Sequence, residues 1–92
     1  MFFVTATGTI NLPEITADGE SACFFTTTAA LLTLNPDDSD IIILDGTAAG
    51  AAGVDIDNAS GAGDFICLIS DEIGGADLWY SVGRSGTWVA GT

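Results

Sequence analysis

The sequence lacks histidine and lysine, and Arg84 is its single cationic side chain in 92 residues. The usual general base, the amine of Schiff-base chemistry and a common metal ligand are therefore missing. Carboxylate pairs remain available, as in glycosidases, but the acidic residues fall in predicted turns or at strand ends, where solvation accounts for them. We therefore expect no enzymatic activity, no cofactor and no bound metal.

Positive charge is scarce but negative charge is abundant, with 13 acidic residues and a formal net charge of −12. Repulsion from phosphates excludes nucleic acid as a direct ligand and disfavours anionic membrane surfaces. No apolar run reaches the about 20 residues of a membrane span. The charge fits a basic partner, a salty environment or solubility alone, and composition does not rank these three.

Charged residues make up only 15% of the chain, whereas hydrophobic residues make up 48%. This balance indicates a large contact surface buried by a partner. The length fits one domain over residues 1–92 with a thin core, a size that often gains stability from disulfides or partner subunits. Cys23 and Cys67 lie in apolar, strand-like runs, so two free core thiols are the first expectation and a disulfide is the alternative.

Strand signals recur at short intervals along the chain, with turn residues between them. A weak helical pattern covers residues 26–34, and a long loop over 46–63 includes a short strand at 54–56. The sequence predicts an all-β fold, a small antiparallel β-sandwich or barrel that is jelly-roll-like and has about seven to eight short strands. The clearest strand candidates are residues 2–7, 8–12, 20–28, 40–46, 64–70, 77–82 and 87–91.

Two aspartate clusters are the only candidates for cation binding. Asp37, Asp38 and Asp40 follow Asn-Pro in a turn, and they fail the EF-hand pattern because the glycine and glutamate positions do not match. Asp55 and Asp57 share one face of an extended segment. A solvated turn is the first interpretation of both clusters, and a structural cation at a subunit junction is the alternative.

Both tryptophans, the only tyrosine and the only arginine lie within residues 77–92. Strand alternation places Leu78 and Tyr80 on one face and Trp79 on the other, and Arg84 falls in a predicted tight turn over residues 83–86. Core filling is the first interpretation of both tryptophans, and an interface anchor is the alternative. Arg84 is also a candidate to pair with a carboxylate of another copy. The candidate interface residues are Phe2, Phe3, Trp79, Arg84 and Trp88.

Four segments resemble the small β-modules of tailed-phage structural proteins, which serve as capsid decoration (cement) proteins and as domains of head and tail fibres. Each of the four segments is similar to a sequence pattern that is common in that family. The segments are the early strand TINLP, the mid-chain IIILDG, the later GDFICLIS and the closing WYSVGRSGTW. These segments are residues 9–13, 41–46, 63–70 and 79–88, and together they span nearly the whole chain.

The resemblance implies a non-enzymatic all-β protein, commonly trimeric, that stabilises a capsid shell through non-covalent contacts. The expected partners are further copies of this chain and the major capsid protein, and the expected location is the outer capsid surface of the virion. The chain starts with methionine and has no carrier domain, so we expect a free-standing decoration protein. The alternatives are a receptor-binding or fibre-tip module of a phage, and a small calcium- or carbohydrate-binding β domain.

Overall fold

The computed structural model describes residues 2–4, 6–27, 31–58, 63–73 and 76–90, and these ranges contain ten strands and no helix. The all-β prediction is confirmed, although the strand count exceeds the expected seven or eight because β4 and β6 were not predicted. The strands are β1 (Phe2–Val4), β2 (Gly8–Asn11), β3 (Ser21–Thr26), β4 (Leu32–Asn35), β5 (Asp40–Leu44), β6 (Thr47–Ala48), β7 (Ile56–Asn58), β8 (Phe65–Ile73), β9 (Ala76–Ser85) and β10 (Trp88–Ala90).

The strands form two sheets that pack face to face as a sandwich. The six-stranded sheet has the order β1-β3-β8-β9-β5-β6, and the four-stranded sheet has the order β10-β7-β4-β2. The chain passes repeatedly from one sheet to the other, so neighbours in sequence seldom share a sheet. The long hairpin of β8 and β9 supplies the centre of the larger sheet.

Three strand pairs are parallel, which differs from the purely antiparallel sandwich predicted from the sequence. These pairs are β1 with β3, β2 with β4, and β5 with β9. In the first two pairs, one strand of the opposite sheet lies between the partners in sequence. The chain reverses direction twice between the two partners. The second partner therefore returns to the sheet of the first and runs parallel to it. Both sheets are therefore mixed.

Local sequence explains where several strands begin and end. Asp45 has a φ of 51° and Gly46 a φ of 82°, the left-handed conformation that a two-residue hairpin between β5 and β6 requires and that Asp-Gly favours. The weak helical pattern over residues 26–34 does not produce a helix among its described residues, and Leu32–Asn35 instead pairs with β2 and β7. Alternating burial along these four residues, with Leu32 and Leu34 facing inward, is the two-residue period of a strand. Residues 28–30 of the helical pattern lie outside the described part of the chain.

The core lies between the two sheets and is filled by large apolar side chains from both. Each such side chain contributes about 1.5–3 kcal/mol on full burial, so this layer is the main source of the fold's stability. The core residues are Leu12, Ile15, Phe24, Leu32, Leu34, Ile42, Ile56, Ile66, Leu68, Trp79 and Trp88.

Candidate functional site

The candidate site is the outer face of the six-stranded sheet, which we call the apolar face. Strands β3, β8, β9 and β5 alternate between buried inward residues and half-buried outward ones, and the outward ones are almost all apolar. We define the apolar face as Phe3, Cys23, Phe25, Ile41, Ile43, Phe65, Cys67, Ile69, Leu78 and Tyr80.

A row of aromatic rings crosses one side of the apolar face, over β1, β3 and β8. The ring centroids of Phe3 and Phe25 lie 5.8 Å apart, and those of Phe25 and Phe65 lie 5.4 Å apart in a stacked arrangement. Strand register produces the row, because Phe3, Phe25 and Phe65 are direct partners across the sheet. Phe3 remains 67% exposed at the sheet edge. Rings of this kind offer large contact area with little conformational entropy to lose.

The disulfide between Cys23 and Cys67 lies on the apolar face beside this aromatic row. The two residues are direct partners in the antiparallel pair of β3 and β8, and their Cα atoms are 4.0 Å apart. The expectation of two free core thiols is therefore wrong. The cysteines point outward rather than into the core, and the strand register puts them opposite each other, a pairing of residues 44 apart in sequence.

The outer face of the four-stranded sheet has the opposite character. Thr9, Thr33 and Asp57 lie side by side across β2, β4 and β7, and Val89 continues that row as an exposed apolar residue. The Asn35 side-chain amide donates to Asn11 Oδ1 across the same strands, at 3.2 Å. The two outer faces thus differ in polarity within one molecule. An uncharged, mostly apolar outer face is what a protein contact surface requires, whereas the polar one is ordinary solvent-facing sheet.

Of the two predicted interface phenylalanines, Phe3 belongs to the apolar face. Phe2 lies in β1 and its backbone is in register with Phe24, but its side chain is outside the described part of the structure. The structure places Phe3 at the edge of a face that extends over five strands of the larger sheet.

Both predicted interface tryptophans fill the core. Trp79 is 2% exposed and Trp88 is 4% exposed, so the core-filling interpretation describes both, and neither side chain offers much area to a second protein. Trp88 Nε1 donates to the Ser85 carbonyl at 3.0 Å. The predicted alternation in β9 is confirmed, since Leu78 and Tyr80 face outward and Trp79 faces inward.

Arg84 lies inside β9 rather than at the tip of a turn, which corrects the turn predicted over residues 83–86. β9 continues to Ser85, and the chain turns at Gly86, whose φ is 86°. A register shift between Cys67 and Leu68 in the facing strand makes room for one more residue in β9. The Arg84 guanidinium binds the Asp45 carboxylate of the same chain. This contact lowers the pKa of Asp45 and raises that of Arg84, so no second copy is needed to balance the cation.

Asp40 departs from the solvated turn expected for its cluster. The turn itself is confirmed by the hydrogen bond from the Asp40 amide to the Asp37 carbonyl, at 2.9 Å, but the Asp40 side chain is fully buried. Its Oδ2 accepts from the Ile15 amide at 3.4 Å. Burial raises the pKa of Asp40, the Ile15 hydrogen bond opposes this, and repulsion from Asp37, Asp77 and Glu14 adds to the rise. The missed signal is strand alternation, because Asp40 is in phase with the buried Ile42.

Among the residues that the structure describes, no group of three or more acidic or cysteine side chains is arranged to hold a metal ion, and this includes Asp37, Asp38 and Asp40. A helix that could span a membrane is not found in the described ranges either.

No protein-family model, no curated protein and no solved structure matches this chain. The apolar face therefore has to be interpreted from its own chemistry.

Proposed function

We propose that this protein is a non-enzymatic structural protein whose apolar face is covered by a second copy of the chain. The observation that carries the proposal is the contrast between the two outer faces, since the larger sheet exposes apolar side chains where the smaller one exposes threonine, asparagine and aspartate. A solvent-facing sheet has no need for ten adjacent uncharged residues of this kind.

The apolar face has the size of a functional surface patch. Five strands at about 4.8 Å spacing and about five residues of about 3.3 Å each give a footprint of roughly 400 Å². Apolar patches of that order on a small protein are usually functional. The small domain also gains stability from such a contact, because binding that occurs only in the folded state shifts the folding equilibrium.

Charge supports a copy of this chain as the occupant of the apolar face. The residues that define the face carry no charge, and Asp71, the cross-strand partner of Leu78, lies at its border. A second copy that covers the face therefore brings few of the 13 acidic groups near the contact. The remaining repulsion is between carboxylates outside the face and is screened by salt. Self-association should therefore strengthen as salt is added, whereas binding of a basic protein would weaken.

Within this class, we propose a capsid decoration protein of a tailed phage that binds the shell from outside as an oligomer. Three copies are the expected number, and in a trimer the apolar face of each copy contacts a different surface of the next copy. The segment resemblance described above supports this form, and a surface that gains stability from neighbours fits it. A fibre-tip module would use the same fold, and copy number separates the two, since decoration proteins occur in hundreds of copies per particle and fibre tips in few.

The first experiment compares two charge insertions on opposite faces. Ile69→Arg places a charge at the centre of the apolar face, and Thr33→Arg places the same charge on the polar outer face. We expect wild type and Thr33→Arg to sediment as oligomers and Ile69→Arg as a folded monomer, with circular dichroism confirming the β spectrum of each. A monomeric wild type at all accessible concentrations, or an oligomeric Ile69→Arg, would contradict the proposal.

The second experiment tests the shell. Expanded capsids of the source phage that lack this chain are mixed with purified protein and pelleted. Co-sedimentation in hundreds of copies per capsid supports the decoration proposal. If the protein is still an oligomer but does not pellet with the capsids, the decoration proposal is wrong and the protein self-associates in some other assembly.

A further inference from the structure

A second surface feature lies away from the apolar face, on the side of the sandwich where β2 and β3 approach each other. A cleft of about 270 Å³ opens there between the two sheets. It is lined mainly by apolar side chains, together with the polar residues Asn11, Glu20 and Ser21. The apolar lining residues are Ile10, Leu12, Pro13, Ala22, Phe24 and Trp79.

Trp79, one of the residues that line this cleft, carries an unsatisfied hydrogen-bond donor. Among the described side chains, two buried polar atoms have no hydrogen-bond partner, Asp55 Oδ1 and Trp79 Nε1, and only Trp79 lines the cleft. The other indole of the protein is satisfied, since Trp88 Nε1 donates to a backbone carbonyl. A buried donor without an acceptor is destabilising, so native proteins nearly always supply a partner.

We propose that the cleft binds a small, neutral, apolar molecule whose carbonyl or hydroxyl oxygen accepts a hydrogen bond from Trp79 Nε1. A mainly apolar wall with a few polar groups is the usual composition of a ligand pocket. The molecule is neutral because the mainly apolar lining penalises a buried charge of either sign, and the Glu20 carboxylate and the net charge of −12 also repel anions. This site does not depend on the apolar face, which lies on the other side of the larger sheet.

The size of the cleft limits the ligand to about ten non-hydrogen atoms, because a cavity of about 150 Å³ accommodates benzene. Two commercial probes test the donor at that size. 1-Indanone and indane have the same fused-ring skeleton, and only 1-indanone carries an acceptor oxygen. The proposal predicts that both enter the cleft and that 1-indanone binds about threefold to tenfold more tightly, the range of one neutral hydrogen bond.

The readout is the pair of indole N–H signals in a nitrogen–proton correlation spectrum of the wild-type protein. 1-Indanone should shift the Trp79 signal progressively and leave the Trp88 signal in place. Trp79→Phe keeps an aromatic ring but removes the donor, so it should bind both probes equally. Trp88→Phe is the matched control and should retain the preference for 1-indanone.

The wild-type titration decides the matter even if a variant fails to fold. Equal affinity of wild type for the two probes, a shift of Trp88 in place of Trp79, or no binding of either probe would each overturn the proposal.

Discussion

Cys23 and Cys67 form a disulfide on the outer face of the six-stranded sheet, between two strands that are hydrogen-bonded neighbours. The bond therefore fastens the antiparallel pair β3 and β8 at the middle of the apolar face, next to the stacked rings of Phe25 and Phe65. In the unfolded chain the disulfide closes a loop between two residues that are 44 positions apart in sequence.

Reduction of this disulfide should destabilise the protein substantially. Loss of the restraint on the unfolded chain predicts a decrease of about 4 kcal/mol in the free energy of unfolding for a loop of this length. The measurement is urea unfolding with and without a thiol reductant. The control is the double variant Cys23→Ala with Cys67→Ala, on which the reductant should have no effect. A reduced wild type as stable as the oxidised protein would show that the bond contributes little.

Truncation of Trp88 should remove a large part of the fold's stability. Trp88→Ala should cost about 3–5 kcal/mol, because the ring is only 4% exposed and its loss leaves a cavity between the sheets. A domain of this size has only about 5–14 kcal/mol in total. The matched control is the next residue, Val89→Ala, which is 48% exposed and should change stability by less than about 0.5 kcal/mol. Thermal or urea unfolding that ranks the two variants the other way would place the ring outside the core.

The contribution of Asp40 to the free energy of unfolding should be larger in mild acid than at neutral pH. Its pKa in the folded state is raised above the ordinary value of 3.8, so protonation favours the folded state. This contribution is fully present below 3.8 and is lost as the pH rises through the higher folded value. The lowered pKa of Asp45 acts in the opposite direction, since its contribution is lost as the pH falls through that folded value.

Asp40→Asn tests this assignment. The variant keeps the side-chain shape and removes the buried charge, so it should equal or exceed the wild type in stability at about pH 7 and should reduce the gain on acidification to about pH 4. Asp38→Asn removes the same charge from an exposed position and controls for general repulsion within the acidic chain. If both variants give the same pH profile of unfolding free energy, net charge and not Asp40 is responsible.

The ion pair of Arg84 and Asp45 should contribute little to stability. The pair is solvent-exposed, so water and salt screen its attraction. Arg84→Gln should melt within about 3 °C of the wild type. The same variant should sediment with the wild-type oligomer mass, because its carboxylate partner belongs to the same chain. A fall in oligomer mass would instead assign Arg84 to a contact between copies.

Much of the strand pattern could be predicted because it depends on local sequence. Aspartate and proline around residues 35–40 fix a turn, and Asp45-Gly46 fixes another. The two-residue period assigned Trp79 to one face of β9 and Tyr80 to the other. The same period, applied to Asp40 and Ile42, would have identified the buried carboxylate.

The sequence by itself determined that this is an acidic, all-β protein without the usual catalytic side chains, because composition and two-residue alternation act within each segment. Only the tertiary structure decided which outer face is apolar, since β3, β8 and β9 carry apolar residues on both of their faces and alternation alone does not say which is inside. It also decided that Cys23 meets Cys67 and that three strand pairs are parallel. Those are contacts between residues distant in sequence, and they depend on how the ten described strands divide between two sheets.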